Sequence, residues 1–138
     1  MRSLYLAVAA LTGALAAGCP STPPPECKVV DTDCAPGYVP TFTNVYNNTL
    51  KEGCGSTKSN CHSARNQAGQ MSFESQDVAY EALLDATKRR VVPGDPSCSE
   101  MIVRTDSPGE DYQMPPGDPL SVQDRCALIQ WVVQGAQP

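Results

Sequence analysis

Aromatic residues are scarce in this chain, with two Phe, five Tyr and one Trp among 138 residues. No segment alternates apolar and polar residues strictly enough to mark a half-buried strand, so a sheet architecture is not expected. No stretch repeats elsewhere in the sequence, and no apolar run reaches the ~20 residues a membrane-spanning helix needs. There is a single histidine. With one imidazole, no Ser-His-Asp order, no phosphate loop and no paired carboxylates, the chain is not expected to be an enzyme. Basic residues are outnumbered, 10 Lys and Arg against 15 Asp and Glu, for a net charge of −5. That balance argues against nucleic acid or an anionic lipid surface as a partner, and the run Lys88-Arg89-Arg90 is too short to reverse it. What the chain has in quantity is proline (13), glycine (10) and cysteine (7). Short helices in a loop-rich shell fit that composition.

The first residues have their own logic. Met1-Arg2-Ser3 is followed by an apolar series from Leu4 to Ala17, broken only at Thr12 and Gly13. One positive charge, a short apolar core and small residues at its end make residues 1–18 a secretory signal peptide. The end of the leader, Leu15-Ala16-Ala17-Gly18-Cys19, resembles the lipobox of bacterial lipoproteins, with Ala16 standing where that family usually has Leu. The resemblance implies acylation of Cys19 and cleavage before it, giving an anchor of more than one acyl chain, which stable attachment requires. The alternative is ordinary cleavage that leaves Cys19 as a spare thiol. Residues 19–26 would then be the lipidated Cys and a proline-rich linker, Pro20-Ser21-Thr22-Pro23-Pro24-Pro25, extended and semi-rigid. The expected location is the cell envelope, lipid-anchored, facing the periplasm or in the outer membrane.

Removing the leader leaves 120 residues of charge −6, since Arg2 leaves with it; this suits one small domain over 27–138. Lipidation of Cys19 leaves six cysteines, 27, 34, 54, 61, 98 and 126. An even number in an exported chain reads as disulfides. The expected pairings are Cys27 with Cys34, by proximity, and Cys98 with Cys126, between two short helices.

Helical spacing of Phe42, Val45, Tyr46 and Leu50 predicts a helix over 43–52 with Gly53 as its stop. A second is predicted over 76–86, capped by Ser75, with Val78, Ala82 and Leu83 on its apolar side. Asp95 before Pro96 predicts a short helix running through Cys98, Met101 and Ile102. The segment 107–119 carries four prolines and two glycines and must be irregular. The last helix starts at Ser121, with Asp124 completing an S-x-x-D box. Val122, Cys126, Ile129 and Val133 form its stripe, and Gly135 ends it.

One constellation carries chemistry. His62 directly follows Cys61, and Cys54 lies upstream. Two thiols and an adjacent imidazole are the components of c-type haem attachment: the thiols add to the vinyl groups and the histidine ligates the iron. Met114, held before Pro115 and Pro116, can supply a thioether as the sixth ligand. The order of a helix before the first Cys, Cys61-His62, the second helix with Tyr80 to Leu84, Val92-Pro93-Gly94-Asp95-Pro96-Ser97, Met114-Pro115-Pro116-Gly117 with Leu120-Ser121, and Ile129 to Ala136 resembles the small class I cytochrome c domains, particularly divergent cytochrome-c-like lipoproteins of bacteria such as myxobacteria. The resemblance spans 42–136. It implies an all-α cytochrome-c-like fold with Tyr46, Tyr80 and Trp131 in its core, haem c bound through Cys54 and Cys61, and His62 and Met114 as axial ligands. The implied role is single-electron transfer between redox partner proteins of the envelope. The departure is the spacing: six residues separate Cys54 from Cys61, where the usual motif has two.

The alternative is a haem-free, disulfide-stapled structural or binding lipoprotein of the same fold. It pairs Cys54 with Cys61, a small loop worth about 2 kcal/mol, and leaves His62 and Met114 structural. A zinc site on Cys54, Cys61 and His62 needs free thiolates, which oxidising export disfavours. Asp106, Glu110 and Asp111 read as a solvated acidic loop before they read as a calcium site.

Overall fold

The computed structural model describes residues 22–55 and 61–138. The leader over 1–18, the lipidation site Cys19 and the polar stretch 56–60 lie outside the described residues. Within them the chain forms four α-helices and a short 3-10 turn, Ala68–Gln70, joined by long irregular connections, and no strand. The fold is all-α and loop-rich.

The first helix, α1 (Phe42–Val45), opens on Thr41, whose side chain accepts from Asn44 N. It runs on as π-helical turns through Tyr46–Gly55. Gly53, the expected stop, does not end it, and a side chain there would meet nothing within 4 Å. The described helix runs on to Gly55, a position that packing reserves for glycine. Gly55 presses its backbone on Phe73 so closely that a Cβ would stand 2.5 Å from the Phe73 Cβ.

The second helix, α2 (Gln76–Leu83), starts at the predicted cap, Ser75, which accepts from Val78 N. It stops short of Ala86 because Asp85 captures the next turn. The Asp85 carboxylate accepts from Thr87 N at 2.9 Å and Thr87 Oγ1 at 2.7 Å, a local side-chain bond that competes with helix propagation. Its buried residues are Ala79 and Leu83; Val78, expected on the apolar side, is 38% exposed.

The third helix, α3 (Glu100–Thr105), begins later than the Asp95-Pro96 signal suggests. Asp95 does cap, accepting from Cys98 N at 3.1 Å, but it caps a turn. Fully buried Ser99 then ties that turn to the preceding segment, accepting from Val92 N at 2.8 Å and donating to Asp95 O at 2.7 Å. The fourth helix, α4 (Val122–Val133), has the predicted start: Ser121 accepts from Asp124 N and donates to the Asp124 carboxylate. Gly135, at φ 91°, turns the chain after it.

The core closes where α1 meets α4. The Phe42 ring lies 4.9 Å from Tyr80 and 5.0 Å from Trp131. Trp131 is 1% exposed and donates its Nε1–H to Gln137 O at 2.8 Å; Tyr80 donates to Ala136 O at 3.0 Å. The tail after α4 therefore satisfies the polar ends of both rings, as buried Trp and Tyr require.

The disulfides differ from the expected pairing. Between described residues, the bridges are Cys27–Cys98 and Cys34–Cys126. The segment 27–37 does not fold back on itself. It lies along the body, where Lys28 N donates to Ser97 O, Gly37 N to Gln123 O, and Gln130 Nε2 to Thr32 O. Cys27 and Cys34 thus each meet a cysteine from the C-terminal half. Bridges spanning 71 and 92 positions constrain far more unfolded chain than the local Cys27–Cys34 loop would. Replacing Cys34 and Cys126 together by Ser is expected to lower unfolding stability by about 2–4 kcal/mol, and Trp131→Ala by about 3–5 kcal/mol, both read from urea denaturation of the purified protein.

Candidate functional site

After α1 the chain returns beneath itself. His62 N donates to Cys54 O at 3.3 Å, Ala68 N to Cys61 O at 2.8 Å, and Phe73 N to His62 O at 2.8 Å. These bonds set His62 in the wall of a cavity of about 240 Å³, a little below the ~300–1,000 Å³ of small-molecule pockets. Its ring lies 5.0 Å from that of Phe73. His62 is 6% exposed, and its buried Nδ1 has no hydrogen-bond partner among the described residues. Burial lowers its pKa below the ordinary value; the carbonyls of Ala68 and Met71 oppose this, and the charges of Arg90 and Arg104 add to it. The net shift is downward, so the imidazole is neutral at neutral pH and keeps a lone pair for ligation.

Met114 lines the same cavity, contributed by the irregular segment between α3 and α4. Its backbone N donates to Arg104 O at 3.0 Å, and the Met114–Pro115 peptide is cis. Gln113 holds the turn. Its Oε1 accepts from Gly109 N at 2.7 Å, while its Nε2 donates to Pro115 O at 2.8 Å and Gly117 O at 2.9 Å. Met71 and Met101 line the cavity too. The chain's one histidine and every methionine among the described residues therefore share one cavity.

The two cysteines do not join them. Neither Cys54 nor Cys61 lines the cavity. Burial pushes the Cys54 thiol up to about 12, whereas Cys61 is disulfide-bonded. A Cys54–Cys61 bridge, the pairing the haem-free alternative expected, is not formed. Among the described residues no three of His, Cys, Asp and Glu gather as a metal-binding group.

Sequence reasoning missed the cations of the cavity. Arg90 is 7% exposed, although the Lys88-Arg89-Arg90 run reads as a solvated patch. The signal available was Val91-Val92 directly after it, an apolar pair that draws the end of the run inward. Arg104 joins it from the last turn of α3.

A helical shell around a cavity that presents one neutral imidazole and thioethers defines the class of site. Residues 59–118 match the family described as Planctomycete cytochrome C, which supports a cytochrome-c-like domain. The match covers under half of the chain; it includes Cys61, His62 and Met114 and leaves Cys54 outside. No curated protein and no solved structure matches the chain.

A thiol pushed this far up is protonated at physiological pH and unreactive. Iodoacetamide at pH 8 is expected to leave Cys54 unmodified in the folded protein and to alkylate it fully in urea, as read by peptide mass mapping; rapid labelling of the native state would contradict the burial described.

Proposed function

We propose that this domain binds haem and carries single electrons in the cell envelope, with His62 and Met114 as axial ligands. One observation carries the reading: the only histidine and a methionine 52 positions away wall one cavity, within the segment that matches the cytochrome family. When bound, haem would supply the one-electron chemistry, and a methionine thioether on its iron would raise its potential. The protein's residues do the rest. Burial keeps His62 unprotonated. Gln113 fixes the turn that carries Met114. Leu50, Phe73 and Leu83 supply apolar surface that excludes water from the ligand. Seating a macrocycle requires the wall to give, and methionine side chains, unbranched and adaptable, are suited to yield.

Thioether attachment at Cys54 and Cys61 needs both thiols. Cys61 must then be released from its disulfide by reduction, and Cys54 must be brought to the cavity. That neither sulfur lines the cavity favours a second reading, a haem-free binding or structural lipoprotein with a cytochrome-like fold. Export from cells with intact c-type maturation machinery separates the two. The haem reading expects red protein with a Soret band, and the pyridine haemochrome counts thioether bonds as none, one or two. In the loaded protein, Met114→Ala is expected to lower the reduction potential relative to the parent. Protein that emerges colourless and also refuses added haemin belongs to the second reading.

The leader and Cys19 support attachment to the membrane through lipid, on a proline-rich tether that keeps the domain near envelope redox partners. Cys19→Ala is expected to abolish incorporation of labelled fatty acid and to move the protein from the membrane to the soluble fraction; unchanged membrane association would reject the anchor.

A further inference from the structure

The proline-rich stretch reads as a spacer, yet its described part lies on the body. Arg104 Nη1 donates to Thr22 O at 3.3 Å, Glu26 pairs with Arg89, and Cys27 is fixed covalently to Cys98. Arg104 lines the cavity of His62 and Met114, and Arg89 stands between the cavity residues Lys88 and Arg90. The incoming chain therefore meets the domain at the edge of the cavity. Cys19 precedes Thr22 by only three residues, a reach of about 11 Å at full extension. A domain of this size is roughly 35 Å across. A lipid on Cys19 cannot lie far from the cavity edge. The opposite side cannot turn to the bilayer unless residues 22–26 peel off the body.

Charge is distributed to suit the same orientation. Around the edge, Lys88, Arg89, Arg90 and Arg104 outnumber two carboxylates, Glu26 and Glu100, each already paired with an arginine. At the start of α2, by contrast, a second cavity is lined by Asp77 and Glu81 and by no basic residue. The net charge of −5 opposes adhesion to an anionic surface, so an anchor has to bring the domain there. Once it is held there, the basic edge turns inward and the acidic end outward.

Resting on the lipid-anchor reading, we infer that the domain lies on the bilayer with the edge of its cavity against the headgroups, held by a tether that is docked for most of its length. The occupant of this face is the membrane surface. Whatever the cavity exchanges then passes at the headgroup boundary, to partners held in the same membrane. The end of α2 that bears Asp77 and Glu81 stays open to water.

The test uses the full lipidated chain, inserted into preformed vesicles of phosphatidylcholine and phosphatidylglycerol. Exposed Lys88 is reacted with a membrane-impermeant acylating reagent, and exposed Asp77 and Glu81 with a carbodiimide and an amine; peptide mass mapping reads the extent. Relative to Cys19→Ala protein in solution, Lys88 is expected to react several-fold more slowly on the vesicles, with Asp77 and Glu81 unchanged. Inserting a flexible glycine-serine segment of about twenty residues between Ser21 and Thr22, which adds a reach of roughly 25 Å, is expected to restore Lys88 reactivity while the protein stays on the vesicles. Vesicle-bound protein whose Lys88 reacts as it does in solution, or whose protection survives the insertion, overturns the inference and leaves the anchor standing. Protein that carries no lipid and stays in solution removes both.

Discussion

Phe42 sits at the point where the two ends of the domain meet, its ring packed on Tyr80 from α2 and on Trp131 from α4. With eight aromatic residues in the whole chain, placing Phe42, Tyr80 and Trp131 in one cluster spends much of the available bulk on a single junction. Everything at the cavity is hung from it. The π-helical extension of α1 delivers Cys54 and sets up the return to His62. On the other side, α3 delivers Arg104, whose carbonyl anchors Met114. If the junction slipped by a helical turn, the imidazole and the thioether would no longer line the same space.

The two bridges reinforce this arrangement from outside. Both join a residue of the segment before α1 to one in the C-terminal half, so the incoming chain is strapped across the body instead of leading freely into it. Lys28 adds a charged contact to Asp106, and Glu26 one to Arg89. The exposed Glu26–Arg89 pair contributes little by itself, whereas Lys28 and Asp106 are half-buried. A domain of this size, with few large apolar side chains, needs such covalent support more than a larger one would.

The helices were legible in the sequence because their signals are local. Ser75 and Ser121 cap where their side chains reach nearby N–H groups, Asp124 accepts from the Ser121 hydroxyl, and no distant residue has to cooperate. The errors arose where a distant residue decides. Gly53 does not stop the first helix, and Gly55 is required where Phe73 is pressed against it; Ser99 delays α3 because it reaches back to Val92; and Cys27 and Cys34 pair across the fold because the segment before α1 stays extended. At the site, His62 and Met114 could be picked out as rare side chains with soft-donor chemistry. Arg90 could not. A charged residue at the end of a basic run is solvated in most proteins, and only the backbone carbonyls of Gly69, Gln70 and Ala82 make its burial possible.

Those carbonyls also explain how the cavity can hold opposite requirements. A neutral imidazole and a buried guanidinium disfavour protons and cations nearby, and the positive field of Arg90 and Arg104 pushes His62 further toward its unprotonated form. The Nδ1 of His62 is buried and has no hydrogen-bond partner among the described residues. A polar core assembled only for packing would normally pair such an atom.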